Sequence, residues 1–192
     1  LQPSNLHLLL HKKLPLYFGL WFVGFIIILA LVFPENRPVD FKVPQFRTSQ
    51  ADLLYFKNIR SFYYDKVEDE KSSYEILHLK TLWQDSTKIP KLTFAIINNW
   101  RQDETYVITE WNRKMLFQEP ISINWENNKV EGSITLSEFN SEAHFKFAGE
   151  VYSHLINDDK LFFESEPIFS DQQRKSIIKT LKDYFKLTGK IY

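Results

Sequence analysis

The spacing of apolar residues changes several times along the chain. The first block has no period. Leu16 to Phe33 is an uncharged run of 18 residues, apolar on every face. As a helix it extends about 27 Å, against a hydrocarbon core of about 30 Å. Tyr17, Phe18, Trp21 and Phe22 crowd its N-terminal end, where an interfacial aromatic belt belongs. The run is longer than the apolar region of a signal peptide, and "ILALVFPENRP" lacks the small residues of a cleavage site. The pattern predicts a transmembrane helix over residues 14–34, preceded by an interfacial tail over 1–13. Gly19, Trp21 and Gly24 form its candidate helix-packing interface, although the two glycines are not at the G-x-x-x-G spacing. Pro34, Pro38 and Pro44 then predict an extended linker over 35–48.

The remainder, 49–192, predicts one α+β domain. Leu53, Phe56, Ile59 and Tyr63 recur at helical spacing behind a possible cap at Ser49, and "RSFYYDKV" turns toward strand formers. Seven strands are expected next: "SYEILHLKTLW", "KLTFAII", "TYVITEWN", "ISINWEN", "KVEGSITLSEF", "AHFKFAGEVYSHLI" and "KLFFES". Short polar connections such as "ENNK" and "NDD" separate them and leave no room for crossover helices, so the order predicts an antiparallel meander, an open sheet or partial barrel. Gly132 and Gly149 are expected at bulges or close backbone approaches. The last element is a helix: Ser170 and Gln173 form a capping box, Ile177, Ile178, Leu181, Tyr184 and Phe185 form one apolar stripe, and Gly189 is a stop. A meander closed by a helix is similar in outline to lipocalin-like barrels, without a motif of that family.

Composition narrows the chemistry. Lys+Arg and Asp+Glu are 24 each, and this balance argues against a nucleic-acid partner. With no cysteine, disulfides, thiolate metal sites and cysteine nucleophiles are excluded. Phosphate-loop, dinucleotide, nucleophile-elbow and zincin patterns are absent. His144 and His154, ten apart, are too distant on one strand to share a metal and read as surface or edge histidines. The carboxylates of "DKVEDEK", with Asp158 and Asp159, read as solvated turns. No catalytic residue, cofactor or metal site is expected. Two surfaces remain. Trp83, Trp100, Trp111 and Trp125, in or beside strands, are a candidate domain interface or pocket. Lys175, Lys179, Lys182 and Lys186 form a candidate basic strip opposite the apolar stripe of the last helix.

The resulting expectation is a non-catalytic, single-pass membrane-anchored accessory subunit of a larger membrane complex, its partners membrane lipid and other membrane protein subunits. Its N-terminus would be cytoplasmic and its domain periplasmic, in a bacterial inner membrane or, alternatively, an organellar one. The alternatives are a membrane-tethered module binding a lipid or other small apolar ligand, and an enzyme without a recognisable motif.

Overall fold

The fold is described from a computed structural model covering residues 21–26, 40–68, 74–83, 91–112, 114–115, 120–127 and 130–191. The chain divides into two compact units, Leu1–Pro38 and Val39–Tyr192. In the first, residues 21–26 are helical, and Trp21 stacks on Phe25 with centroids 5.7 Å apart. This corrects the expected membrane span: among the described residues, no helix is long and apolar enough to cross a membrane. The remainder of 14–34, Gly19 included, lies outside the described residues. The single-pass topology, the signal-anchor role and the periplasmic placement fall with the span on which they rested.

In the second unit the chain runs through α1 (Gln50–Tyr55), continued by a π turn (Phe56–Arg60) and a 3-10 turn (Ser61–Tyr63). It enters β1 (Tyr64–Glu68), β2 (Tyr74–Leu79), the short α2 (Lys80–Trp83), β3 (Leu92–Asn99), β4 (Glu104–Trp111) and β5 (Lys114–Met115). Then follow β6 (Ile121–Asn127), β7 (Val130–Leu136), α3 (Ser141–Ile156), β8 (Lys160–Phe163), β9 (Glu166–Pro167) and α4 (Asp171–Leu187). The helix-then-strand reading at the start of the domain holds. So does α4, where the Ser170 hydroxyl accepts from the Gln173 amide and the Gln173 side chain accepts from the Ser170 amide. Gly189 sits at φ +66° just past its end, a conformation that costs glycine little.

The strands do not form one meander. Five make an antiparallel sheet ordered β1-β2-β3-β4-β5, and four make a second ordered β7-β6-β8-β9. Both are open, which corrects the partial-barrel reading and the lipocalin-like outline. β7 and β8 each pair antiparallel with β6 and therefore run parallel to one another. Strands so related need a crossover, and α3 supplies it.

The segment "AHFKFAGEVYSHLI" is thus a helix, not the strand its sequence suggested. Phe145, Phe147, Val151 and Leu155 satisfy a period of two; His144, Ala148, Val151, Tyr152 and Leu155 satisfy one of 3.6. The arbitrating signal is Asn140, whose side chain accepts from the Ala143 amide (2.8 Å) and caps the helix. α3 packs on β4, β7, β8 and α4, so it is buried on a wide face and alternation along it carries little information.

The inner face of the first sheet (Leu77, Leu79, Leu92, Phe94, Ile96, Val107) shares one core with Ile177, Leu181, Tyr184 and Phe185 of α4 and Phe145, Val151 and Leu155 of α3. Residues 40–48 lie against this core. Phe41 meets the rings of Phe145, Tyr152 and Phe185, the last at 4.7 Å. Gly149 makes this possible: a Cβ there would lie 2.5 Å from the Phe41 ring. Gly149→Val should displace Phe41 and cost about 1–3 kcal/mol, the usual range for overpacking. Equilibrium urea unfolding against wild type measures it.

The edge of β4 away from β3 is closed piece by piece, as an edge strand requires. The Thr105 amide donates to the Phe46 carbonyl (2.7 Å), the Thr48 amide to the Asp103 carbonyl (2.8 Å), and Trp111 pairs with Lys114. The Thr109 amide donates to Nδ1 of His144 (3.2 Å).

Candidate interaction site

Two buried polar clusters come first. On the outer face of the first sheet, Thr93 lies directly across from Glu110, and His78 lies on the adjoining strand. Glu110 is 2% exposed; one carboxylate oxygen meets His78 Nε2 (2.9 Å) and the other accepts from the Thr93 hydroxyl (3.0 Å). These residues line neither the groove at Trp125 and Gly132, nor the cleft at Phe56 and Leu187, nor the groove at Leu136 and Phe147. With both oxygens engaged, the carboxylate ties three strands together. At the end of α3, Asp159 is also buried, held by His154 Nδ1 (2.6 Å) and the Asn127 amide, while the His154 ring stacks on Trp125 (4.3 Å). This corrects the reading of Asp159 as a solvated turn carboxylate. His144 is likewise buried inside the domain, not at its surface.

The tryptophans expected at a shared surface stand in different surroundings. Trp100 is exposed at the β3–β4 turn beside Arg101, while Trp111 packs on Phe163 (4.7 Å) at the other end of that hairpin. Those two ends are separated by the eight residues of β4, about 27 Å at strand rise. Trp125 is sandwiched between His154 and Gly132, where a Cβ would sit 2.8 Å from the indole. The side chain of Trp83, on α2, lies outside the described residues. Of the expected helix-packing residues, Trp21 is exposed, and nothing lies within 4 Å of a Cβ built on Gly24.

The lysine strip leads to a more organised surface. α4 carries Lys175, Lys179, Lys182 and Lys186 along one face, with Asp183 among them. Asp183 is 7% exposed and accepts from Arg60 Nε (2.8 Å), Arg60 Nη2 (2.7 Å) and the Tyr64 hydroxyl (2.8 Å). The hydrogen bond to Asp183 raises the Arg60 pKa, and burial, reinforced by the Asp183 charge, raises that of Tyr64. Asp183 therefore binds the helical segment 50–63 to α4. Sequence reasoning missed this residue; its one signal was an acid alone in a row of lysines.

That segment is capped at Ser49, whose hydroxyl accepts from the Asp52 amide (3.1 Å). Leu53 and Phe56 point into the core. Leu54, Tyr55, Ile59, Phe62 and Tyr63 are exposed, Phe62 to 71%. A π turn lies within this segment, and such turns recur at functional sites. The surface is held rigidly. Lys179 Nζ lies 3.8 Å from the Tyr63 ring centroid, the Arg60 guanidinium lies 5.1 Å from it, and Lys80 Nζ donates to the Phe62 carbonyl (2.9 Å). Burial, with the Arg60 charge adding to it, lowers the Lys179 pKa.

Beside this ridge lies a cleft of about 290 Å³ between α1 and the end of α4. Phe56, Leu187 and Ile191 give it an apolar lining, with Asp52, Tyr55, Arg60, Asp183 and Lys186 around it. Among the described residues, no ion pair engages Lys57, Lys175, Lys182 or Lys186. The arrangement has an apolar centre and a rim that carries both charges. Compared with known proteins, the chain matches no family model, no curated protein and no solved structure.

Proposed function

We propose that this chain is a non-catalytic docking subunit of a larger protein assembly, engaged through the outer face of residues 54–63. The observation that carries this reading is the exposure of Leu54, Tyr55, Ile59, Phe62 and Tyr63 on one short segment clamped to the domain. An apolar surface of this kind, rimmed by charge, is the usual mark of a protein contact. Tyr and Arg are the residue types that dominate contact energies, and Tyr63 is fixed between two cations before any partner arrives.

A photocrosslinking residue at position 62 should capture one defined partner chain in the cells that make the protein. The same residue at position 100, where another exposed aromatic stands, should capture none. The double variant Ile59→Ser/Phe62→Ser should lose the assembly on native gels while its unfolding free energy stays within about 1 kcal/mol of wild type, because exposed side chains contribute little to folding. Retention of the assembly by that variant would overturn the reading.

A further inference from the structure

The second sheet leaves a long edge open. β7 pairs with β6, and among the described residues its backbone bonds to nothing else. The register runs unbroken from Ile121↔Leu136 to Asn127↔Val130, so no bulge turns the edge away. Over its length, "VEGSITL", β7 carries one charge, Glu131, and no proline. Bulges, prolines and charges are what normally keep an edge from pairing. β1, at the edge of the first sheet, carries Asp65, Lys66 and Glu68, and β9 is only two residues long. A groove of about 350 Å³ lies beside β7. Its lining takes in Thr135 and Leu136, which face opposite sides of the sheet, and α3 from Glu142 to Glu150, but nothing from β6. The groove therefore follows the free side of the strand. The buried Leu136 and Phe147 give it an apolar floor. The charged residues of the lining are Glu138, Glu142, Lys146 and Glu150. Lys146 is paired with Glu142 (2.7 Å), and among the described residues no cation pairs with Glu138 or Glu150.

We infer that β7 and this groove take an extended basic segment of a partner chain, added to the second sheet as a further strand. Backbone hydrogen bonds to β7 would supply affinity, and side chains facing α3 would supply specificity. Apolar ones would cover Leu136 and Phe147, and lysine or arginine would meet Glu138 and Glu150. A second copy of this chain fits worse, because β7 has no base and would bring its own Glu131 to an acidic groove. The groove shares no residue with the segment 54–63, so this surface is additional to the docking face above.

The test uses the full chain and a fluorescent peptide of two Lys-Lys-Val-Val repeats, which shows both residue types on each face of a strand. Its polarisation should report saturable binding that weakens as salt rises. Glu138→Lys/Glu150→Lys should weaken it at least tenfold. Both residues are exposed, and an unchanged circular dichroism spectrum checks that the fold is kept. The same peptide with glutamate for each lysine should not bind. Nor should the lysine peptide with every backbone amide methylated, which keeps its charge but cannot donate to β7. Equal binding of the methylated peptide, no binding of the lysine peptide, or indifference to the charge reversal would overturn the proposal. So would a dimer of the chain that Ser133→Pro abolishes while the peptide stays free, since the edge would then belong to a second copy. Ile59→Ser/Phe62→Ser should leave peptide binding unchanged, which tests this proposal apart from the docking reading. Loss of binding in that variant would place the peptide at the other surface and overturn the assignment to β7.

Discussion

Asp183→Ala should lower the unfolding free energy by about 3–5 kcal/mol, the largest single-residue effect expected in the domain. The substitution leaves the Arg60 guanidinium and the Tyr64 hydroxyl without the acceptor they share, in a region from which water is largely removed. Most of the cost is that of two unpaired polar groups, not the net worth of the pair. A chemically matched comparison separates the two. Asp183→Asn keeps shape and one acceptor oxygen and should cost less. The triple variant Arg60→Met/Tyr64→Phe/Asp183→Leu, with no polar group left to satisfy, should recover much of the loss. Urea unfolding should show the midpoint falling with an unchanged slope if the native fold persists. Small domains are stable by only about 5–15 kcal/mol, so Asp183→Ala removes a large share. Because Asp183 holds the segment 50–63 on α4, the same variant should also loosen the docking face.

Acid should destabilise the protein through His144. This side chain is 3% exposed, and burial lowers its pKa from 6.5 to about 4. Nδ1 accepts the Thr109 amide, which fixes the neutral tautomer with the proton on Nε2, and Nε2 has no hydrogen-bond partner among the described residues. Protonation would place a charge in the core and remove the acceptor that closes the β4 edge. Between pH 6.5 and about 4 the unfolded chain takes up this proton and the folded chain does not. The contribution is complete above pH 6.5 and falls away as pH drops toward 4. At 1.36 kcal/mol per pKa unit the loss approaches roughly 3 kcal/mol. Unfolding measured at pH 7, 5.5 and 4.5 should show this decline. His144→Gln, whose side-chain oxygen can still accept the Thr109 amide, should flatten it over that window. A variant with the wild-type slope would assign the acid sensitivity to other groups.

Both residues show where sequence reading reaches its limit. His144 was assigned to a surface or strand edge because "AHFKFAGEVYSHLI" alternates as well as it repeats at 3.6. It does close a strand edge, but from inside a helix. Asp183 sat in plain view in α4, yet its partner Arg60 is 123 residues away, and no local pattern links them. The lysine strip was visible at its spacing of three and four; that Lys179 would lie on Tyr63 and Lys186 beside a cleft was not. Trp100 and Trp111, conspicuous by type, stand at opposite ends of one hairpin.

What the sequence determined by itself is what local forces decide. The capping box at Ser170, the apolar stripe behind it and the stop at Gly189 specify α4 with little tertiary help. Alternation specifies β6 and β7, because a half-buried strand writes its two faces into consecutive residues, while β3 and β4, buried on both faces, were legible from their strand-forming residues and the short turn between them. The tertiary structure alone decided the rest. An unbroken apolar run predicted a membrane span from its length, but among the described residues no helix is long and apolar enough to cross a membrane. The choice of helix for α3, the division into two sheets and the clamp of Arg60 on Asp183 depend on surfaces contributed by distant segments. Burial on several sides erases periodicity, and a pair is stabilised by proximity in space, which spacing along the chain does not record.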